Sequence, residues 1–175
     1  MKLYLLYGSN GAGKSAIGYE LARRGYKVIE ADSELGSWTN KKTDQKATHN
    51  PPFSQKWLDQ NQWIWDEEKL QKLLNDKSYQ TIFLVGNAYN MGQFMDLFTK
   101  NFFIYASFDT AVQRLQMREP ERWLTRSAEV KQLENTLNNF WEGYLSNKPS
   151  NSVLIRNTGT VSRAANQILA EIDED

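Results

Sequence analysis

Eight residues near the start of the chain constrain its fold more than any others. Gly8-Ser9-Asn10-Gly11-Ala12-Gly13-Lys14-Ser15 fill every fixed position of the pattern G-x-x-x-x-G-K-[ST]. At average residue usage, a chance match somewhere in 175 positions has odds of roughly one in two hundred. The octapeptide leaves the apolar run Leu3–Tyr7 and opens a helical stretch from about Lys14 to Arg24, which Gly25 can close. Strand, glycine-rich turn and helix in that order converge backbone N–H groups and a positive helix end on one point, where an anion is held. Glycines there keep Cβ atoms away from a phosphate and permit φ > 0. Lys14 is placed to reach β- and γ-phosphates, and Ser15 to offer its hydroxyl to Mg²⁺. The plain alternative is a glycine-rich turn carrying a solvent-exposed lysine.

The rest of the chain continues the alternation of strand and helix. Lys27–Glu30 reads as a second strand, Thr81–Val85 as a third buried on both faces, Phe102–Tyr105 as a fourth and Val153–Ile155 as a fifth. Between them, Asp66 can cap a helix running to about Leu74, Met91–Phe98 looks helical, and Asp109 can cap a helix carrying Val112 and Leu115. A long helix follows from about Ala128 to Leu145, and Thr160 can cap the last one, ending near Ile172. Ala31–Asn61 has little apolar periodicity and is too long for an ordinary connection, so it is read as functional. The outcome is one α/β domain over residues 1–175.

Composition narrows the chemistry. Twenty-one Lys+Arg balance twenty-one Asp+Glu, so charge favours neither nucleic acid nor an anionic membrane as partner. The absence of cysteine removes disulfides, thiolate metal sites and cysteine nucleophiles. No run approaches the ~20 apolar residues of a bilayer span, and the expected location is the cytoplasm. Six tryptophans are many for this length, and Trp38, Trp57, Trp63 and Trp65 fall in one region.

Guanine recognition by N-K-x-D fails at Asn147-Lys148-Pro149-Ser150, so ATP is the expected nucleotide. With YGSNGAGKS, VIEADSELG, FLVGNAYN and RLQMREPERW in this order, the chain resembles the small phosphate-loop kinases of the adenylate kinase and shikimate kinase group, together with small bacterial AAA-family ATP-binding proteins. The resemblance covers most of the chain. It implies the phosphate-loop nucleoside triphosphate hydrolase fold: a three-layer sandwich around five parallel strands in order 2-3-1-4-5. It also implies a mobile lid at about 118–128, an acceptor-binding region at about 31–65, and an adenine site near Asn157–Val161.

Individual residues can be weighed beside that resemblance. Glu30, Asp32 and Glu34 alternate after the second strand, where open α/β sheets bind ligands. A carboxylate there can hold a Mg²⁺ water or take an acceptor's proton. Shikimate kinase-like proteins carry an Asp-x-Asp pair in this place. Asp32 belongs to both possible matches, Glu30-x-Asp32 and Asp32-x-Glu34, and is preferred; an acidic loop in solvent is the alternative. The third strand ends in Gly86 and Asn87 without the usual carboxylate. Gly86 allows close backbone approach and Asn87 could bond acceptor or phosphate, or both could simply form a turn.

Arg114, Arg118, Arg122 and Arg126 recur every four residues, but Pro120 interrupts a continuous helix. Arg114 and Arg118 are read as ending one helix near the nucleotide, and Arg122 and Arg126 as lid residues able to meet charge on the γ-phosphate. Arg118 resembles the second arginine of the RLxxR-type pattern that precedes kinase lids. A solvated face paired with Glu119, Glu121 and Glu129 is the alternative. His49 beside Pro51 and Pro52 reads as a surface-loop residue. Trp38 is placed beside the acceptor, where it could stack on a ring or merely pack.

The sequence therefore points to an ATP- and Mg²⁺-dependent small-molecule kinase. Lys14, Asp32, Arg118 and Arg122 would be its catalytic groups; Gly8 to Ser15, Arg114 and Arg118 would meet the nucleotide. Asp32, Glu34, Trp38, Gly86 and Asn87 would meet a nucleoside, nucleotide or small hydroxylated acceptor, and Ser15 and Asp32 the metal. The rivals are an ATP-binding regulatory module, which the missing carboxylate keeps open, and a nucleic-acid end kinase, which the balanced charge disfavours.

Overall fold

Continuous apolar runs dictate the architecture, because a strand apolar at every position must be covered on both faces. The computed structural model describes residues 1–48, 54–118 and 127–173. Its strands and helices are β1 (Lys2–Tyr7), α1 (Lys14–Arg23), β2 (Lys27–Glu30), α2 (Ala31–Glu34), β3 (Gly36–Asn40), α3 (Gln55–Gln60), β4 (Asn61–Trp65), α4 (Glu67–Asn75) and β5 (Thr81–Val85). A 3₁₀ helix (Met91–Leu97) leads to β6 (Lys100–Tyr105), α5 (Phe108–Arg118), α6 (Ser127–Ser146), β7 (Ser152–Arg156) and α7 (Val161–Asp173).

The main sheet has the order β2-β5-β1-β6-β7 with every pairing parallel. Numbered as the five strands read from sequence, that is the expected 2-3-1-4-5. Side chains of β1 alternate across it. Leu3, Leu5 and Tyr7 pack on one side with Trp65, Leu70, Phe94 and Tyr144. Tyr4 and Leu6 pack on the other with Ile17, Leu21, Ala165 and Ile168. Helices α1 and α7 thus cover one face, and α4, the 3₁₀ helix and α6 the other, which completes the three-layer α/β sandwich.

Local signals set several boundaries as expected. Asp66 accepts from the Lys69 N–H at 3.2 Å and Thr160 from the Arg163 N–H at 3.2 Å, each capping its helix. Asp109 does not cap α5. The hydroxyl of Ser107, two residues earlier, accepts from the Thr110 N–H at 3.3 Å, which leaves Asp109 in the first turn, where its charge suits the positive helix end.

The larger departure is the stretch 31–61. It holds α2, β3 and α3, and β3 pairs antiparallel with β4 in a second, two-stranded sheet, with Trp38 opposite Trp63 and Gly36 opposite Trp65. Trp63 and Trp65 therefore lie on a strand, where positions i and i+2 share a face, and that strand leads into α4. This long-range strand pair escapes periodicity because β3, Gly-Ser-Trp-Thr-Asn, has too few apolar residues to display alternation.

Candidate functional site

The phosphate-loop pattern folds as its chemistry requires. β1 ends at Tyr7 and α1 begins at Lys14, with Gly13 at its N-cap in left-handed conformation and no side chain capping the helix. The first-turn N–H groups are thereby left facing outward for an anion. Gly11 has φ +77, and a Cβ there would stand 2.7 Å from the Ala111 carbonyl oxygen. Glycine is thus required both by the backbone angle and by the approach of α5. Ser9 and Ala12 are buried, whereas Asn10 is exposed at the loop tip.

Side chains from three distant segments brace this loop. Asn87 accepts from the Gly8 N–H at 3.0 Å and donates to the Gly8 carbonyl at 2.6 Å. Arg114 donates to the carbonyls of Ala12 at 3.0 Å and Asn157 at 2.9 Å. Asn157, 1% exposed, donates to the Ala12 carbonyl at 2.8 Å. Arg114, Asn87 and Asn157 had been read as contacts for nucleotide, acceptor and adenine region respectively. In the structure Asn87, Asn157 Nδ2 and one Arg114 nitrogen bond the loop's own backbone, so all three support the cradle. An isolated sequence match cannot reveal this, because each of the three lies 79 to 145 residues from its partner in the loop.

The charged groups meet at the ends of β1 and β2. Lys14 Nζ donates to the Gly8 carbonyl at 2.9 Å and the Ser9 carbonyl at 3.0 Å. Burial pushes its ammonium down to about 8, against the pull of Asp32 and Glu30 and with repulsion from Arg118. Arg118, the last residue of α5, is therefore close enough to act on Lys14. Ser15 donates to Glu30 Oε2 at 3.3 Å. The Glu30 carboxyl is raised above its ordinary range by burial and by the neighbouring Asp32, while Ser15 and Lys14 pull it back.

Glu30 thus has a stronger geometric claim on the Ser15 side than Asp32, which had been preferred as the metal residue. The signal was present in the Glu30-x-Asp32 spacing. What sequence lacked was the register that ends β2 beside Val85 of β5, next to the loop.

Asp32 and Glu34 separate because they sit on α2, where residues two apart point in different directions. Asp32 lies against Gly86: a Cβ at Gly86, whose φ is +152, would stand 3.1 Å from Asp32 Oδ1 and 3.0 Å from Ala31 Cβ. Glu34 lines a different cavity of about 330 Å³ with Lys69, Lys72 and Asp76, away from the loop. Glu34, expected beside the acceptor, is not among the residues that line the main cleft.

That main cleft, about 670 Å³, runs from Asn10 and Asp32 past Asn87 and Tyr89 to Trp38, Trp63 and Phe140. Its size suits a small-molecule ligand. Trp38 stands edge-on to Trp57 at 4.8 Å and to Trp63 at 5.5 Å between ring centroids, so an aromatic wall built by the hairpin faces the loop. Trp65, 1% exposed, belongs to the core. Arg122 and Arg126, most of the expected lid, and His49 lie outside the described residues.

No group of three or more His, Cys, Asp or Glu able to hold a metal occurs among the described residues. No helix among the described residues is long and apolar enough to cross a membrane.

No protein-family model matches the chain, and no curated protein matches it either. Solved structures do. A deoxyadenosine kinase from M. mycoides, with dCMP and a flexible dCDP bound, superposes with a TM-score of 0.60 at 16% identity over 99% of this chain and 100% of that one. A gluconokinase from Sinorhizobium meliloti 1021 gives 0.60 at 14% identity over 99% and 92%. YorR from Bacillus subtilis, in complex with phosphorylated GDP, gives 0.60 at 16% identity over 98% and 96%. The chain has the fold of the small phosphate-loop kinases.

Proposed function

We propose that this protein is an ATP- and Mg²⁺-dependent phosphotransferase acting on a small hydroxylated acceptor, a nucleoside, a nucleotide or another metabolite. The observation that carries the reading is the single cleft that joins Asn10 of the loop, Asp32 and the tryptophan hairpin. In this reading its loop side receives the donor, its tryptophan side receives the acceptor, and Asp32 lies between them. The kinase names of the structural neighbours support the same class of reaction.

In this mechanism the backbone of Gly8 to Gly13 and the N-terminus of α1 bind the phosphates, with Lys14 exchanging its two carbonyl partners for phosphate oxygens. Ser15, with Glu30 behind it, would hold Mg²⁺, which would supply charge neutralisation at the phosphates. Asp32 accepts the proton of the attacking hydroxyl, and Trp38 and Trp63 orient the acceptor. Arg118, joined by Arg122 from the lid, meets charge developing on the transferred group. The chain works as one domain, with residues 31–65 as its acceptor-binding part.

The test is direct. Asp32→Asn keeps ATP-induced thermal stabilisation but lowers transfer to the best acceptor in a panel of nucleosides, nucleotides and hydroxy acids by about 10²-fold or more. ATP binding without transfer across the whole panel would favour the regulatory-module reading.

A further inference from the structure

The segment that follows β5, Gly86 to Asn90, touches both walls of the cleft. On the loop side Asn87 bonds both the N–H and the carbonyl of Gly8, at 3.0 and 2.6 Å. Three residues on, Asn90 does the same to Trp65. Its Oδ1 accepts from the Trp65 N–H at 2.9 Å and its Nδ2 donates to the Trp65 carbonyl at 3.0 Å. Between them the Tyr89 N–H donates to the Trp63 carbonyl at 2.8 Å. A primary amide presents one acceptor and one donor side by side, as a strand residue does. Each asparagine therefore completes a two-bond rung on a distant backbone residue, Asn87 on Gly8 just past β1 and Asn90 on Trp65 of β4.

These rungs are additional to the sheets. β5 is already paired with β1 and β2 up to Val85, and β4 with β3. What the five bonds add is a short, doubly anchored connection between Gly8, the first residue of the phosphate loop, and Trp63 and Trp65 of the hairpin. All four asparagine bonds are partly buried, so water competes with them poorly.

We infer that Asn87 and Asn90 are paired positioning residues: the strap they bracket sets the distance between the phosphate loop and the hairpin, and transmits nucleotide occupancy of the loop to the hairpin. The inference rests on the reading of the loop as a nucleotide site and of the hairpin as an acceptor wall. In-line transfer depends on reacting atoms held about 3–3.5 Å apart, and a misplacement of ~1 Å is enough to lower a rate about 10²-fold. A strap of five residues pinned at both ends provides that constraint. Asn90 is not among the residues lining the cleft, and its side chain acts through Trp65.

The experiment compares hydrogen exchange of residues 61–65, with and without saturating ATP·Mg²⁺, in the wild-type protein, Asn90→Ala and Asn90→Asp. In the wild type, ATP·Mg²⁺ slows exchange in this segment by about fivefold or more. Asn90→Asp has the same shape but no N–H to give the Trp65 carbonyl, so it loses the response as Asn90→Ala does, while both keep the ATP-induced rise in melting temperature. An Asn90→Asp protein that responds like wild type overturns the inference, because packing alone would then suffice. If neither variant folds, the wild-type arm decides: an ATP-induced rise in melting temperature without slower exchange at 61–65 overturns the coupling and leaves the nucleotide site standing. No rise in melting temperature overturns both.

Discussion

Raising the pH from 7 to about 9 should weaken ATP binding about tenfold, and the cause is Lys14. Its ammonium, bonded to the Gly8 and Ser9 carbonyls, is held down to about 8 by burial. At pH 9 only about a tenth of the nucleotide-free protein therefore carries this charge, against about nine-tenths at pH 7. Triphosphate oxygens favour the charged form and return the group toward its ordinary value of 10.5. Binding at pH 9 must then take up about 0.9 proton per nucleotide, which lowers affinity by about 1.4 kcal/mol relative to pH 7. Titration calorimetry in buffers of different ionisation enthalpy reads both quantities, the affinity and the proton uptake.

Folding stability responds in the opposite sense. The folded value lies below the unfolded one, so between about 8 and 10.5 the unfolded chain binds more protons and stability without nucleotide rises with pH. Lys14→Met should remove both slopes along with most of the affinity. A flat affinity between pH 7 and 9 with no proton uptake at pH 9 would refute the placement of Lys14 as the buried phosphate ligand.

Two further expectations concern the carboxylates. Gly86→Ala forces an L side chain to φ +152 and brings its Cβ within 3.0 Å of Ala31 Cβ and 3.1 Å of Asp32 Oδ1. It should destabilise the protein by about 1–3 kcal/mol in urea unfolding, and an unchanged midpoint would mean that β5 and α2 are not packed this closely. Glu30→Gln removes the charge facing Ser15, and the Mg²⁺ concentration needed for half-maximal ATP-induced stabilisation should rise about tenfold or more. A Mg²⁺ dependence identical to wild type would return the metal role to Asp32 alone.

Much of the fold was legible because it is written locally. The apolar runs Leu3–Tyr7 and Thr81–Val85 state their own burial on two faces, and glycines before a Lys-Ser pair state a left-handed loop opening a helix. Asp66 and Thr160 mark their helix starts through bonds three residues long. The hairpin of β3 and β4 was not legible, since its pairing lies between segments more than twenty residues apart and its strands carry no clear alternation.

The same division runs through the site. The sequence by itself determined that a glycine loop joins the first strand to a helix opening with Lys14 and Ser15, and that Asp32 follows the second strand. Only the tertiary structure decided that Arg114, Asn87 and Asn157 support the cradle, that Glu30 faces Ser15, and that Glu34 turns away. The physical reason is that a cradle of backbone N–H groups is encoded by consecutive residues. The role of an amide or a guanidinium depends on whichever distant backbone group the packed sheet brings within hydrogen-bonding distance.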